Sequence, residues 1–176
     1  MKTLLIGLGS KARIGKDYAS QELAKHFDLE RIAFADELKK DLAGIMSKSN
    51  IDYWEIEKEP ALKETVRPLL VAYGQVMRKF NEDIWVDRAI KNKEFRHQVT
   101  LITDVRFPNE AKRLKELGGF YIEIETNIPP ANETEALYSP QMAGLADYKV
   151  RNNFDSKFIQ SLVDLVNRLL PCQKIQ

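Results

Sequence analysis

One cysteine, Cys172, stands in a chain of 176 residues. A lone thiol closes no internal disulfide and has no partner sulfur with which to bind zinc, so a reducing, cytoplasmic setting is expected, the host cytoplasm if the protein is viral. The two histidines, His26 and His97, stand at no ligand or triad spacing, which leaves zinc chemistry and nucleophilic triads without residues. No apolar run approaches the length of a membrane span, and Thr3-Leu4-Leu5-Ile6 is far shorter than a signal peptide with its cleavage site, so neither a membrane nor export is expected. Charge of one sign is also lacking: 27 Lys and Arg against 26 Asp and Glu leave a net charge of +1. No global field draws such a chain to nucleic acid, and any anion site must be local. Internal repeats and low-complexity segments are absent.

What is present describes one ordinary globular domain spanning residues 1–176, with 44% hydrophobic and 30% charged residues. An apolar strand over 2–8 stops at a glycine-containing loop. A helix follows from about Gly15 with Tyr18, Leu23, Ala24 and Phe27 as its apolar stripe. A short strand over 31–35 leads to a helix capped by Asp36, in which Leu38, Leu42, Ile45 and Met46 recur at helical spacing. Residues 60–93 form a helical block carrying Leu62, Val66, Leu69, Leu70, Tyr73, Val76, Met77 and Phe80, with a second helical stretch after Asn81. Val99 to Thr103 is a β-branched strand ending at Asp104; Pro108 to Leu117 is a helix closed by Gly118-Gly119, and Phe120 to Glu125 is the next strand. Residues 126–144, with Pro129, Pro130 and Pro140, read as a long surface loop and a lid or substrate loop. A short strand over 147–151 and an amphipathic helix over 154–170, with Phe158, Leu162, Leu165, Val166 and Leu169 inward, complete the chain. This alternation specifies an α/β architecture: a mainly parallel five-stranded sheet in three layers, helices on both faces, ligands at the carboxyl ends of the strands.

The chemistry-bearing residues stand just after those strands. In Gly9-Ser10-Lys11-Ala12-Arg13-Ile14-Gly15-Lys16-Asp17, the Gly15-Lys16 pair falls where a strand gives way to a helix, as in loops whose backbone N–H groups cradle phosphates and whose Lys reaches the transferred group. Ser10 stands where that pattern has its first Gly, and Asp17 where it has a hydroxyl. Gly7-Leu8-Gly9-Ser10-Lys11-Ala12 also satisfies the dinucleotide fingerprint, with Asp36 as the acidic residue, but that reading buries Gly15 inside a helix and leaves Lys16 without a role. A basic surface turn is the bland alternative. After the strand over 99–103, Asp104 is placed to organise Mg²⁺ or its waters and Arg106 to neutralise charge on a moving phosphoryl, while a strand cap and a surface Arg are the plain alternative. Arg67, in the helical block, suits a monophosphate anchor, although lone helical arginines are mostly solvated.

Ile6 to Asp17 resembles the phosphate loop of phage-type deoxynucleoside monophosphate kinases, which typically reads Gly-Lys-Ala-Arg-Ser-Gly-Lys-Asp-Thr. Further segments agree in order: Phe34 to Lys39, Arg67 through Gly74 to Trp85, Thr103-Asp104-Val105-Arg106-Phe107-Pro108-Asn109-Glu110, Thr134-Glu135, and Val150 to Asn153. The resemblance implies a P-loop kinase fold and transfer of the γ-phosphoryl of ATP to a deoxynucleoside monophosphate, with Mg²⁺, no nucleic acid or membrane partner, and room for a homodimer. It places Lys11, Ala12, Arg13, Ile14, Gly15, Lys16, Asp17 and Tyr18 at ATP, and Arg13, Lys16, Asp104 and Arg106 at the transferring group. The metal would fall to Asp17 and Asp104, and Lys11, Asp36, Lys39, Arg67, Trp85, Thr134 and Glu135 would face the acceptor. Three departures stand in the loop: Ser10 for Gly, Ile14 for Ser and Tyr18 for Thr, which together tighten it and remove a hydroxyl from the metal. Animal-type phosphomevalonate kinase is a more distant likeness, with its own Gly-Lys-Asp loop, Asp-x-Arg strand end and late Glu-containing loop. A nucleotide-binding module without catalysis is the remaining alternative.

Overall fold

The computed structural model describes residues 3–9, 11–91 and 93–170; Ser10 and Cys172 lie outside them. The first strand, β1 (Leu4–Gly9), has only apolar residues and glycine, and all six positions are buried, as a strand covered on both faces requires. It is followed by α1 (Lys16–Leu23), β2 (Leu29–Ile32), α2 (Phe34–Ser47), α3 (Tyr53–Lys58), α4 (Pro60–Phe80), a short α5 (Ile84–Val86) and a π-helical turn over Asp87–Lys91. Then come β3 (Val99–Val105), α6 (Pro108–Glu116), β4 (Phe120–Glu125), α7 (Glu133–Leu145), β5 (Tyr148–Arg151) and α8 (Ser156–Leu169). The five strands are parallel in the order β2-β3-β1-β4-β5, so the expected sheet is the one that forms. Because β3 and β4 flank β1, the loops that leave these three strands emerge side by side, at the point where the strand order reverses.

The chain divides into two compact units, one built from residues up to Ile32 and from Glu94 onward, the other from Ala33–Lys93. In the first, alternation along the strands separates two faces. Leu4, Ile6 and Leu8 join Val99, Leu101, Ile122 and Ile124 in a core with Ala19 and Leu23 of α1 and Phe158, Leu162, Leu165 and Val166 of α8. The other face has glycines where its neighbours come closest. A Cβ on Gly7 would lie 2.5 Å from Leu114 of α6, and one on Gly9 would run into the Tyr121 ring. In the second unit Leu42, Tyr53 and Val66 form the core of α2, α3 and α4, with Ala43, Met46, Ile56, Leu70 and Tyr73 against them. Arg88 closes it from the surface, donating to Asp41 at 2.6 and 2.8 Å and lying over the Trp85 ring.

Several expectations are corrected. The unit that holds the 60–93 helices also takes in α2 and α3, and α3 has no counterpart in the sequence reading. Residues 133–145 of the expected loop are the helix α7, with Pro140 inside it. A Pro removes one backbone bond and disfavours the helix by about 3 kcal/mol; here Asn132 caps the first turn through Glu135 N–H, and Met142 is fully buried. Tyr18 and Ala24 face outward, and Ala19 and Leu23 fill the stripe assigned to α1. Asp36 is not a cap: α2 begins at Phe34 with Ala33 in the cap position, which leaves Asp36 in the first turn.

Two glycines test this division. Gly9→Ala is expected to destabilise the protein by about 1–3 kcal/mol through overpacking against Tyr121. Gly44→Ala is expected to stabilise it by about 0.5–1 kcal/mol, because Gly44 is inside α2 and its would-be Cβ meets open space beyond the helix's own backbone. Urea unfolding of both variants checks the pair, and a shift of the same sign in each would contradict the packing.

Candidate active site

The turn between β1 and α1 is shaped by two left-handed residues, Arg13 (φ 61°) and Gly15 (φ 86°). Only glycine holds that conformation without strain, and a Cβ on Gly15 would also come within 2.8 Å of Asn152 Nδ2. Asn152 is itself buried: its Nδ2 donates to the carbonyl of Ile14 at 3.1 Å, and its Oδ1 accepts from Phe154 N–H at 2.7 Å. Ile14 is fully buried in the α1–α8 core. This departure from Ser therefore anchors the loop from beneath and puts no bulk into its concave side. Tyr18 points outward and is 54% exposed. The first N–H groups of α1 have no partner within the helix, and together with its dipole they favour an anion.

Lys16 stands at that helix start and is only 9% exposed. Its Nζ donates to the carbonyl of Lys11 at 2.5 Å. Burial, reinforced by the charge of Arg106, lowers its pKa from 10.5 to about 8, against the opposing pull of Asp104, Glu135 and Glu123. The ammonium thus feels the charges around it and, among the described residues, is bonded to the Lys11 carbonyl, a position that an incoming phosphate would satisfy. Asp104 and Arg106 follow from the end of β3. Neither caps α6: Glu110, at 2% exposure, accepts from the N–H groups of Arg106 and Phe107 at 2.8 and 3.1 Å and takes that task. Buried Glu123, on β4, accepts from the Tyr121 hydroxyl. Thr103, just before Asp104, is buried with no hydrogen-bond partner for its hydroxyl among the described residues.

The segment ahead of α7 closes on the same turn. Glu135 is 6% exposed; its Oε1 accepts from Ala12 N–H and its Oε2 from Ala131 N–H, both at 2.9 Å. Lys11 Nζ donates to the Ile128 carbonyl at 3.2 Å. Thr134 beside it is exposed. One unit therefore brings together Lys11, Ala12, Arg13, Ile14, Gly15, Lys16, Asp17, Asp104, Arg106 and Glu135 around the carboxyl ends of β1, β3 and β4.

The residues expected at the acceptor within Ala33–Lys93 have varied surroundings. Lys39 pairs with Glu57 at 2.8 Å, as does Lys63 at 2.9 Å. Against its desolvation, hydrogen bonds from Lys39, Lys63 and Tyr53 hold Glu57 at about 2. Arg67 lies open at the surface, held by Glu64 through contacts of 2.8 and 2.6 Å. Asp36 is half-buried in the first turn of α2. Trp85 is corrected to a core residue: it is 1% exposed, beside Tyr73 and under Arg88, with no ring face left for a base.

Among the described residues no three His, Cys, Asp or Glu side chains converge as a metal cage. That fits Mg²⁺ held mostly by phosphates and water with one or two carboxylates. Asp104 stands at the strand end, and Asp17, its carboxylate 82% exposed and 3.6 Å from Arg31, at the start of α1.

Sequence reasoning overlooked Glu110, Glu123 and the brace by Asn152. An acid in the middle of the apolar strand Phe-Tyr-Ile-Glu-Ile-Glu was the available signal for Glu123, and the Pro-Asn-Glu opening of α6 was the one for Glu110.

Lys16 also carries a stability signature. Its folded pKa lies below its unfolded one, so between about pH 8 and 10.5 the unfolded chain binds more protons and stability from this group rises with pH; below about 8 the buried charge is fully unfavourable. Lys16→Met, which keeps the bulk, is expected to abolish turnover yet raise the unfolding free energy of the ligand-free protein at pH 7, by up to roughly 3 kcal/mol. The gain should shrink at pH 9.5. Equal stabilities at both pH values would show that the ammonium is not desolvated.

Comparison with known proteins gives three kinds of likeness. A family model described as phosphomevalonate kinase matches residues 8–119. A protein of Acanthamoeba polyphaga mimivirus named "Putative deoxynucleotide monophosphate kinase" is 28% identical over 142 residues, covering 69% of this chain and 74% of the viral one. Shikimate kinase from Bacteroides thetaiotaomicron superposes with a TM-score of 0.46 at 13% identity, over 95% of this chain and 98% of that one. Shikimate kinase from Acinetobacter baumannii in complex with shikimate does so at 0.47 and 12% identity, over 99% and 97%. With a match that runs from the last residues of β1 through the phosphate loop to Asp104, Arg106 and the end of α6, the chain belongs to the phosphomevalonate kinase family and is a kinase-type phosphotransferase.

Proposed function

We propose that this kinase transfers the γ-phosphoryl of ATP to a deoxynucleoside 5′-monophosphate, giving ADP and the deoxynucleoside diphosphate. An oxygen of the acceptor phosphate attacks the γ-phosphorus in line as the bond to the β–γ bridging oxygen breaks, and ADP leaves with that electron pair. Such a transfer asks the protein mainly for positioning and for positive charge near the equatorial oxygens. Gly15, Lys16, Asp17 and Tyr18 offer backbone N–H groups to the β- and γ-phosphates, and the Lys16 ammonium exchanges the Lys11 carbonyl for a phosphate oxygen. Arg13 and Arg106 neutralise the moving group. Asp17 and Asp104 would hold Mg²⁺, which when bound screens the phosphates.

The observation that carries the acceptor class is the supply of cations. Of the two cationic side chains in residues 33–93 that the resemblance assigns to the acceptor, Lys39 is neutralised by Glu57, while Arg67 is exposed and paired with Glu64. An exposed pair of this kind contributes little and is readily exchanged. One exposed Arg that can leave Glu64 suits the single phosphate of a nucleotide, whereas phosphomevalonate presents a phosphate and a carboxylate. The viral relative's name points the same way. Residues 126–145 contain no Lys or Arg, so they bring no cation to the phosphates, and the charge must come from Lys11, Arg13, Lys16 and Arg106. The family match favours phosphomevalonate as the second reading.

Release of ADP from Mg-ATP, measured with a panel of deoxy- and ribonucleoside monophosphates and phosphomevalonate, separates the two. Deoxynucleotides are expected to give the highest kcat/KM, and Arg67→Ala is expected to raise the KM for the deoxynucleotide by roughly ten- to a hundredfold with little change for ATP, as loss of a charge-assisted contact predicts. Phosphomevalonate outcompeting every nucleotide, or an equal effect of Arg67→Ala on both substrates, transfers the chain to the second reading.

A further inference from the structure

We propose that Glu135 is a positioning residue for the phosphate loop, acting from α7 on the ATP side of the reaction and making no contact with the acceptor. The proposal rests on the kinase reading of the loop. Its basis is the geometry of one carboxylate. Glu135 is nine-tenths buried, and its two oxygens are divided between two backbone donors far apart in sequence, Ala12 N–H in the loop and Ala131 N–H in the segment that leads into α7. Its own N–H is bonded to Asn132 Oδ1 and its carbonyl to the Ser139 hydroxyl, so the side chain leaves a helix turn that is itself held in place. A second bond joins the same two segments, from Lys11 Nζ to the Ile128 carbonyl.

This arrangement addresses a difficulty in the loop's chemistry. Arg13, immediately after Ala12, adopts a left-handed conformation that costs a non-glycine residue free energy and persists only where the surroundings enforce it. Asn152 fixes the far side of that residue through the Ile14 carbonyl, and Glu135 fixes the near side through Ala12 N–H. The strained turn is thereby clamped on both sides, just ahead of a helix start whose dipole favours an anion. A charged acceptor is suited to this task because carboxylate-to-amide bonds are stronger than neutral ones. With each oxygen held by a backbone amide at 2.9 Å and the side chain nine-tenths buried, Glu135 is turned toward the loop, which is why it belongs to the ATP side. Thr134, exposed beside it, keeps the acceptor role that the resemblance gives to the pair.

Glu135→Gln tests this, because the amide can accept at one oxygen only and must turn an NH₂ toward one of the two N–H groups. The full-length variant is compared with the wild type by calorimetric titration with Mg-ADP and by steady-state kinetics with the acceptor that the wild type uses best. The expected result is an ADP affinity and a kcat/KM for ATP each lower by about tenfold or more, with the acceptor KM changed less than twofold. A rise in the acceptor KM alone, or no change in any of these, overturns the proposal. Should the variant fail to fold, amide hydrogen exchange of the ligand-free wild type decides: Ala12 N–H should be protected relative to Arg13 N–H, and an Ala12 amide that exchanges as fast as Arg13 overturns the clamp. A wild type that binds no ADP fails the kinase reading itself, an outcome distinct from an unchanged variant of an active enzyme.

Discussion

The structure depends on keeping one ammonium in a place where water would not leave it. Lys16 is buried at the start of α1 with, among the described residues, the Lys11 carbonyl as its hydrogen-bond partner, and its pKa falls accordingly. A desolvated cation is unfavourable in the free protein and favourable once a polyanion arrives, so the same residue weakens the empty fold and strengthens the loaded one. The position survives because packing and hydrogen bonds to the backbone hold it. Ile14 is sunk in the α1–α8 core, Asn152 holds the loop carbonyl, and the parallel sheet beneath is buried on both faces. Packing supplies the rigidity that keeps the charge in place.

The same requirement explains the distribution of carboxylates. Asp104, Glu123 and Glu135 all act on Lys16 through space and raise its pKa, yet each has a different setting: a strand end, a bond from the Tyr121 hydroxyl, and two backbone amides. Partial compensation at a distance keeps the ammonium mostly charged near neutrality without satisfying it. A carboxylate in direct contact would hold the proton more firmly and compete with phosphate for the same Nζ. Arg106 pushes in the other direction, so cations converge where negative charge must accumulate in phosphoryl transfer.

The glycines of β1 show how the fold serves the site. Gly7 and Gly9 let Leu114, Val105 and Tyr121 approach the central strand, which brings α6 and β4 close beneath the turn. Glu123, which accepts from the Tyr121 hydroxyl, acts on Lys16 through its charge, and β3 and β4 lie on either side of the strand that feeds the loop. A sheet with side chains at those positions would hold the flanking elements further away and open the site to water.

Much of this was determined by the sequence alone. Apolar runs ending at Gly9, Asp104 and Glu125 specify buried parallel strands, Gly15-Lys16 marks a helix start suited to anions, and the charge balance requires the anion site to be local. These features are local, set by the conformational limits of glycine, by periodicity and by the helix dipole, and they act over a few residues. Only the tertiary structure decided what closes around them. Glu135 meets Ala12 across 123 residues and Asn152 meets Ile14 across 138, and no spacing announces either. Pro140 argues for a loop when read by itself, yet it stands in a helix because capping at Asn132 and burial of Met142 outweigh one missing backbone bond. Trp85, placed at the acceptor by resemblance although its residue type favours a core, is core because Tyr73 and Arg88 pack against its ring. Long-range contacts of this kind are chosen by the packing of the whole chain, where the free energy of burial exceeds any local preference.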